Sequence, residues 1–254
     1  MSPDELWFHR APATEPVRFH LVCFPGVGGR ITAFQQWSAL LPPGVEVCSV
    51  QLPGRGVRWC EPAVSDVHQL ADRIVDAAVR DLSAPVLLFG FSFGGLLGYE
   101  VAARMVAAGC PPVHYMVCAS RAPLASDPRD GVHLLDDARF VKVVRQIGAT
   151  PDEVLDNPDL CELVLPALRA DFVAANTYVP SVDGGLPVSM TAVAASDDTS
   201  VTPDHMSAWD HWTGKRFSLQ VVTGDHFVLE RPGDRSVPDL IGAVLKAAEL
   251  GGVR

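Results

Sequence analysis

Positive charge is scarce in this sequence. Its 254 residues include 20 Lys and Arg against 30 Asp and Glu, which gives a formal net charge of −10 at pH 7. Proteins that bind nucleic acids or anionic membranes usually present an excess of basic residues, so the composition disfavours both classes. The 48% hydrophobic and 20% charged residues are typical of a globular protein, and the length fits one large domain or two small ones.

Long hydrophobic runs and cysteine pairs of the metal-binding type are also missing. The nearest approach to a membrane span, residues 84–99, is interrupted by glycines and is shorter than the roughly 20 apolar residues that a span needs. None of the six cysteines forms a CxxC pair, and several lie in apolar runs. The sequence also starts without the basic and apolar regions of a signal peptide. These features predict a cytoplasmic protein with reduced cysteines.

Short apolar runs alternate with longer amphipathic stretches along most of the chain. The runs predict strands and the amphipathic stretches predict helices. Continuous apolar strands that alternate with helices are typical of a mostly parallel sheet covered on both faces, an α/β fold. We expect strands at Phe19–Phe24, Val45–Leu52, Val86–Gly90, Val113–Ala119, Val188–Ala195 and Phe217–Thr223, and helices at 33–41, 67–82, 94–108, 203–212 and 237–250.

One segment interrupts this alternation. Between residues 121 and 187 no good strand is visible, and two helices are predicted instead, at Asp136–Gly148 and Asp159–Tyr178, with room for a third. An insertion of this size between two strands is too long for a plain loop. We therefore expect a single domain over residues 1–254 with an inserted helical lid subdomain at residues 135–178, called the lid segment below.

A Gly-x-Ser-x-Gly pattern occupies residues 90–94, between a predicted strand and a predicted helix. The two glycines permit a sharp turn that raises the serine above the carboxyl edge of the sheet. The following helix N-terminus offers free N–H groups and a positive dipole end. The pattern predicts Ser92 as a catalytic nucleophile. A glycine-rich turn that only packs helix against strand is the alternative.

A serine nucleophile requires a base and a group that orients the base. In this type of fold the acid and then the histidine follow the serine along the chain. His226 comes directly after the last predicted strand, so we predict it as the base. The preceding strand runs into Asp197 and Asp198. Neighbouring side chains of an extended segment point in opposite directions, so only one of the two faces His226, and the pattern alone leaves both open.

Stabilising the oxyanion of acyl transfer requires two backbone N–H donors. One is expected from Phe93, directly after the nucleophile. The other is expected from the loop at residues 25–29, with Val27 as first choice and Gly26 as the alternative, and we expect Gly26 and Gly28 to contact substrate. The Gly-x-Gly of this loop lacks the third glycine and the distal acidic residue of a dinucleotide-binding fingerprint.

Several blocks of the sequence together resemble the type II thioesterases, the discrete editing hydrolases of polyketide and nonribosomal peptide assembly lines. The resemblance covers nearly the whole chain and places Asp198, rather than Asp197, on the family's catalytic aspartate. The sequence departs from the family in the residues before this position and in carrying Asp225 where glycine is common. The blocks are Cys-Phe-Pro with Gly-Gly at 23–29, Gln-Leu-Pro-Gly-Arg-Gly at 51–56, the serine turn at 90–95, Leu-Pro-Ala-Leu-Arg-Ala-Asp-Phe at 165–172 and Gly-Asp-His-Phe at 224–227.

The resemblance implies an α/β-hydrolase fold with a mobile lid and a triad of Ser92, Asp198 and His226. It implies that Ser92 attacks an acyl thioester on the phosphopantetheine arm of an acyl or peptidyl carrier protein, and that water then releases the acid. No metal or redox cofactor is required for this chemistry. A general esterase or thioesterase for small substrates and a non-catalytic acyl-binding protein are the alternatives, and we expect a monomer.

Two expectations concern residues outside the triad. Carrier proteins of this kind are acidic, as this chain is, so long-range electrostatic attraction is expected to be weak. We therefore expect a local basic rim from Arg30, Arg55, Arg58 and Arg121, with ordinary solvated arginines as the alternative. The block at 165–172 is expected to pack the lid, with its arginine and aspartate paired locally.

Overall fold

A single seven-stranded sheet forms the centre of the protein, with strand order β1-β3-β2-β4-β5-β6-β7. The computed structural model describes residues 6–11, 13–29, 31–127, 129–148, 150–231 and 233–250. Neighbouring strands are parallel, except that β1 runs antiparallel to β3 at one edge. The strands are β1 (Phe8–Ala11), β2 (Phe19–Phe24), β3 (Val45–Val50), β4 (Val86–Phe91), β5 (His114–Cys118), β6 (Met190–Ala195) and β7 (Phe217–Val222).

Helices cover both faces of this sheet. Two apolar clusters lie on its two sides, one including side chains of α2 and α3 and the other including side chains of α8. Strands β2, β4 and β6 consist entirely of buried residues, as expected of strands covered twice. The helices are α1 (Thr32–Gln35), α2 (Val67–Asp81), α3 (Phe93–Ala107), α4 (Asp137–Ile147), α5 (Asp152–Leu155), α6 (Pro158–Thr177), α7 (Pro203–Ser207) and α8 (Ser236–Leu250).

The lid segment contains α4, α5 and α6 and has an apolar cluster of its own. Phe140 and Val144 of α4 pack with Leu168 and Phe172 of α6, and the rings of Phe140 and Phe172 meet edge to face at 5.6 Å. Both predicted lid helices are therefore present and packed on each other. The expectation that this segment moves as a subdomain stays a prediction.

The structure departs from the sequence expectations in three places. Strand β1 was not predicted, because it is only four residues long and its side chains are no more than half-buried. The predicted helix at 33–41 is a single α-turn followed by a 3₁₀ helix at Gln36–Ala39, and the stretch at 203–212 likewise divides into α7 and a 3₁₀ turn. No helix among the described residues is long and apolar enough to cross a membrane.

Candidate active site

Ser92 occupies a strained turn between β4 and α3. Its φ of 52° and ψ of −121° fall in a region that side chains rarely adopt. The turn requires glycine on both sides, because a Cβ at Gly90 would lie 2.4 Å from the Gly94 carbonyl oxygen. A Cβ at Gly94 would lie 2.2 Å from the carbonyl oxygen of Phe24 on the neighbouring strand. The backbone around Ser92 is thus packed too closely for any other residue at these two positions.

The structure brings Ser92, His226 and Asp198 together from three loops at the carboxyl edge of the sheet. The Nε2 atom of His226 lies 3.2 Å from Ser92 Oγ, and its Nδ1 lies 2.7 Å from Asp198 Oδ2. A carboxylate only accepts hydrogen bonds, so Nδ1 carries the ring proton and Nε2 is left as the acceptor that faces the serine hydroxyl. This arrangement can remove a proton from Ser92 as the hydroxyl attacks an acyl carbon.

Asp198 is held as a carboxylate by its own loop. Burial opposes ionisation, but hydrogen bonds from His226 and Ser200 outweigh it and lower the pKa of Asp198 to about 2. The Oδ1 atom accepts the N–H of Ser200 at 2.8 Å, its hydroxyl at 2.6 Å and the N–H of Val201 at 2.9 Å. The neighbouring Asp197 is exposed and accepts only from the Ser196 hydroxyl. The geometry therefore selects Asp198 over Asp197.

The His226 ring is positioned by its neighbours. The ring centroids of Phe91 and Phe227 each lie 5.4 Å from that of His226, and they flank it on two sides. Asp225, the residue by which the sequence departs from the family, accepts the N–H of Phe227 at 3.0 Å. Its carboxylate therefore caps the local turn, while Asp198 orients the imidazole.

The loop at residues 25–29 passes close to the nucleophile. The Gly29 N–H donates to the Gly26 carbonyl at 3.0 Å, which closes a tight turn with Val27 and Gly28 at its two central positions. The φ of 85° at Gly28 is typical of the third residue of a type II turn. A Cβ at Gly26 would lie 3.3 Å from Ser92 Cβ, so glycine permits the close approach. On the other side of Ser92, the Phe93 N–H is at the first position of α3, where the helix itself does not use it.

The N–H of Gly28 is hydrogen-bonded to the lid segment. Its N–H donates at 3.0 Å to Oδ2 of Asp171, a fully buried carboxylate on α6. Gly28 also lines a separate apolar cavity of about 240 Å³, while Val27 lines the cavity of Ser92. The expectation that Gly28 contacts substrate stays a prediction, with its N–H already hydrogen-bonded to Asp171.

A cavity of about 420 Å³ opens at Ser92. One wall is apolar and includes Leu96 of α3 and Phe172 of α6, so the lid segment contributes directly to the cavity. The loop after β5 forms another part of the wall and contributes both apolar and polar residues. Its lining residues include Arg121, Ser126, Asp127, Arg129 and Asp130. Asp127 and Arg129 form an ion pair at 2.6 Å within this wall. The cavity thus offers an apolar side and a charged side to a substrate beside the nucleophile.

The expected basic rim is wrong for the three arginines that the structure describes. Arg55 forms a bidentate ion pair with Asp171. Arg58 is buried, pairs with Glu61 and lies over a tryptophan ring. Arg121 donates to two loop carbonyls, one of them that of Ser200 at 2.8 Å. Each therefore has an internal role, and Arg30 lies outside the described residues.

One group of metal-type ligands was not anticipated from the sequence. His20, Glu46 and Cys48 come together on β2 and β3. An ion pair from Arg10 to Glu46 at 3.3 Å already supplies positive charge there, and burial together with the Glu46 charge raises the pKa of the Cys48 thiol. His20 Nδ1 also lies 3.0 Å from Glu46 Oε2, so this carboxylate already has partners within the group and from Arg10.

The contacts of Asp171 were not predicted either, because this aspartate of the block at 165–172 was expected to pair locally with Arg169. Arg169 instead donates to Asp137 and to the backbone carbonyls of His133 and Leu135. The packing expected for the block at 165–172 is present, because Leu168 and Phe172 belong to the lid cluster.

Comparisons with known proteins identify the family of this chain. The family model of the thioesterase domain matches residues 19–246. The gramicidin S biosynthesis protein GrsT of Aneurinibacillus migulanus is 32% identical over 230 residues, 90% of each chain. Thioesterase PikA5 of Streptomyces venezuelae is 34% identical over 226 residues, 88% of this chain and 80% of that protein.

Solved structures confirm the expected α/β-hydrolase fold and the resemblance to type II thioesterases. RedJ, a thioesterase from the prodiginine biosynthetic pathway in Streptomyces coelicolor, shares 35% identity with a TM-score of 0.82 over 92% of this chain and 95% of its own. The type II thioesterase BorB from the borrelidin biosynthetic cluster shares 32% identity with a TM-score of 0.83 over 94% and 98%. The chain therefore belongs to the thioesterase family.

Proposed function

We propose that this protein is an editing thioesterase that removes acyl groups from the phosphopantetheine arms of acyl or peptidyl carrier proteins in a polyketide or nonribosomal peptide assembly line. The observation that carries the proposal is the hydrogen-bonded chain from Ser92 through His226 to Asp198 at the end of the 420 Å³ cavity. The similarity of this protein to GrsT and to BorB supports the assembly-line context. The free cysteines support a cytoplasmic location.

The proposed reaction has two halves. In the first, Ser92 Oγ attacks the thioester carbonyl while its proton passes to Nε2 of His226, and Asp198 stabilises the imidazolium. The oxyanion is stabilised by the N–H groups of Phe93 and Val27. The C–S bond then breaks, and His226 returns the proton to the departing thiolate. An acyl-serine and a free pantetheine thiol result.

In the second half, water takes the place of the thiol. His226 accepts a proton from the water as its oxygen attacks the acyl-serine. When the tetrahedral intermediate collapses, the same proton goes to Ser92 Oγ. The products are a free carboxylic acid and the regenerated serine.

We propose that the lid segment admits the acyl group. Phe172 and Ala175 of α6 line the cavity, so any movement of α6 changes the space beside Ser92. A lid that shapes the acyl pocket while leaving an entrance for a flexible arm suits a substrate presented by another protein.

The test is hydrolysis of one acyl group presented in two ways, on a carrier protein and on a small pantetheine thioester. Wild type is compared with Ser92→Ala and with Ser196→Ala, an exposed serine that serves as the matched control. We expect release that requires Ser92, tolerates Ser196→Ala and is at least about tenfold faster from the carrier in kcat/KM. Equal rates from both substrates would indicate a general small-substrate hydrolase. Equal rates for wild type and Ser92→Ala would refute the triad assignment.

A further inference from the structure

A second buried charge cluster lies beside the active site and is not part of the triad. Asp171 of α6 is fully buried. Its Oδ2 accepts the Gly28 N–H at 3.0 Å and Arg55 Nη1 at 2.6 Å, and its Oδ1 accepts Arg55 Nη2 at 2.7 Å. One carboxylate therefore joins the lid segment, the loop at 51–56 and the loop at 25–29.

Arg55 contacts the same turn from its other side. A Cβ at Gly29 would lie 2.5 Å from Arg55 Cδ, so the aliphatic part of the arginine packs directly on the Gly29 backbone. Arg55 Nη2 also lies 3.4 Å from the Ala167 carbonyl of α6. The turn is thus held by a hydrogen bond at Gly28 and by packing at Gly29.

The Gly28 N–H belongs to the central peptide of the turn, the unit that distinguishes its two common forms. Type I and type II turns differ by a flip of this peptide, which reverses the direction of its N–H and carbonyl. Because Asp171 accepts the Gly28 N–H, it favours the type II form observed here. The N–H of Val27, the proposed second oxyanion donor, belongs to the preceding peptide, which this flip does not turn. The contacts at Gly28 and Gly29 therefore act on the Val27 N–H by holding the whole turn in place beside Ser92.

We propose that Asp171 and Arg55 are positioning residues that fix the Val27 N–H for transition-state stabilisation, an inference that rests on the proposed function of the Ser92 site. Neither side chain needs to touch the acyl group. The ion pair acts on the rate because an oxyanion donor contributes only when it is already aimed at the developing charge. It also makes the catalytic geometry depend on α6 being seated.

A purely structural role in fastening the lid is the competing explanation, and the same helix provides its control. Arg169, two residues before Asp171, is also a long-range anchor, donating to Asp137 at 2.7 Å and to the His133 carbonyl at 2.6 Å. Neither contact involves the loop at residues 25–29. Arg169→Gln therefore weakens the packing of the lid segment without removing a hydrogen-bond acceptor from the loop at residues 25–29.

The test compares Asp171→Asn, Arg55→Met, Arg55→Lys and Arg169→Gln. An asparagine with its oxygen at the Oδ2 position can still accept from Gly28 and from Arg55 Nη1, but its NH₂ group replaces Oδ1 and faces Arg55 Nη2, so the bidentate pair and its negative charge are lost. Lysine keeps the charge but loses the bidentate geometry. Two rates are measured, namely carrier-bound thioester hydrolysis and labelling of Ser92 by a fluorophosphonate. The labelling also builds negative charge in the oxyanion site, and it requires no knowledge of the acyl substrate.

We expect Asp171→Asn and Arg55→Met to lower kcat and the labelling rate together by about 10- to 100-fold, with KM within about threefold of wild type. Arg55→Lys should recover part of the loss, and Arg169→Gln should leave labelling within about twofold. Equal labelling rates for Asp171→Asn and Arg169→Gln would overturn the inference, as would a loss confined to KM.

Two further outcomes separate this inference from the proposed function. If wild type is labelled at Ser92 but hydrolyses no carrier thioester, the proposed function fails, and the labelling comparison still decides the role of Asp171. If wild type is not labelled at all, both fail. Should Asp171→Asn not fold, as judged by its unfolding transition, Arg55→Lys carries the comparison because it keeps the buried carboxylate paired with a cation.

Discussion

Replacing Asp198 with asparagine should trap His226 in the wrong tautomer. Asparagine has a single acceptor oxygen, and the N–H groups of Ser200 and Val201, which both donate to Oδ1, would hold that oxygen in place. The amide NH₂ then faces His226 Nδ1, now 2.7 Å from Oδ2. Nδ1 must become an acceptor, so the ring proton moves to Nε2 and the ring can no longer take the proton of Ser92.

The size of the effect follows from the loss of general-base catalysis with the site geometry otherwise kept. A trapped tautomer in a serine triad lowers kcat by about 10⁴-fold, which corresponds to about 5 kcal/mol of transition-state stabilisation. Ser200→Ala is the matched control. It removes one donor to Asp198, the hydroxyl at 2.6 Å, but leaves the carboxylate facing His226. We expect Ser200→Ala to stay within about tenfold of wild type.

Two assays test this reasoning. Turnover of a small acyl thioester gives kcat for wild type, Asp198→Asn and Ser200→Ala. Nitrogen NMR of labelled histidine, with His226→Gln used to assign the signals, shows which ring nitrogen carries the proton. The reasoning is refuted if Asp198→Asn keeps more than about a tenth of wild-type kcat, or if Nδ1 of its His226 still carries the proton.

Three other predictions concern stability. Gly94→Ala should lower the free energy of unfolding by about 3 kcal/mol or more, because the added Cβ would lie 2.2 Å from a backbone oxygen. Gly98→Ala should lower it by only about 1 kcal/mol, because the added Cβ first meets the Phe24 ring, at 3.1 Å. Urea unfolding of both variants shows which is destabilised more. Burial lowers the pKa of His114 to about 4 from an ordinary 6.5. The stability that depends on the neutral imidazole is therefore fully present above pH 6.5 and is lost as the pH falls through 4. Between pH 7 and pH 4 the free energy of unfolding should fall by about 2 kcal/mol less in His114→Asn than in wild type, as measured by unfolding at each pH. Phe140→Ala should cost the lid about 3 kcal/mol and raise proteolytic cleavage within residues 135–178, with the sheet left intact; unchanged cleavage would contradict this.

The parts of the molecule predicted from sequence are those with long, repeated patterns. Strand β4 is a continuous apolar run that is buried throughout, helix α2 has helical periodicity with its apolar face buried, and both occur within one or two residues of their predicted bounds. The serine turn was identifiable because two glycines flank Ser92 in the correct context. His226 and Asp198 followed from chain order and from the family resemblance.

The features that could not be predicted from sequence depend on contacts between residues far apart in the chain. From sequence alone, Arg55 would be predicted to lie at the surface, because its partner Asp171 is 116 positions away on a helix with its own periodic pattern. The Gly28 N–H is likewise hydrogen-bonded to a carboxylate 143 positions away, and no local sequence pattern indicates this contact. Strand β1 is short and has no strong alternation, so only its pairing with β3 defines it.

The separate apolar cluster of the lid segment has a consequence for changing the selectivity of this enzyme. Phe172 contributes to that cluster and also to the wall of the Ser92 cavity, so a library centred on Phe172 reshapes the pocket through the packing of the lid segment. Ala175 also lines the cavity, but it packs against the cluster of α2 and α3, so changes there affect the packing beside the sheet as well. Directed evolution of acyl preference should therefore tolerate more simultaneous changes around Phe172 than around β4, provided that Asp171 is left in place.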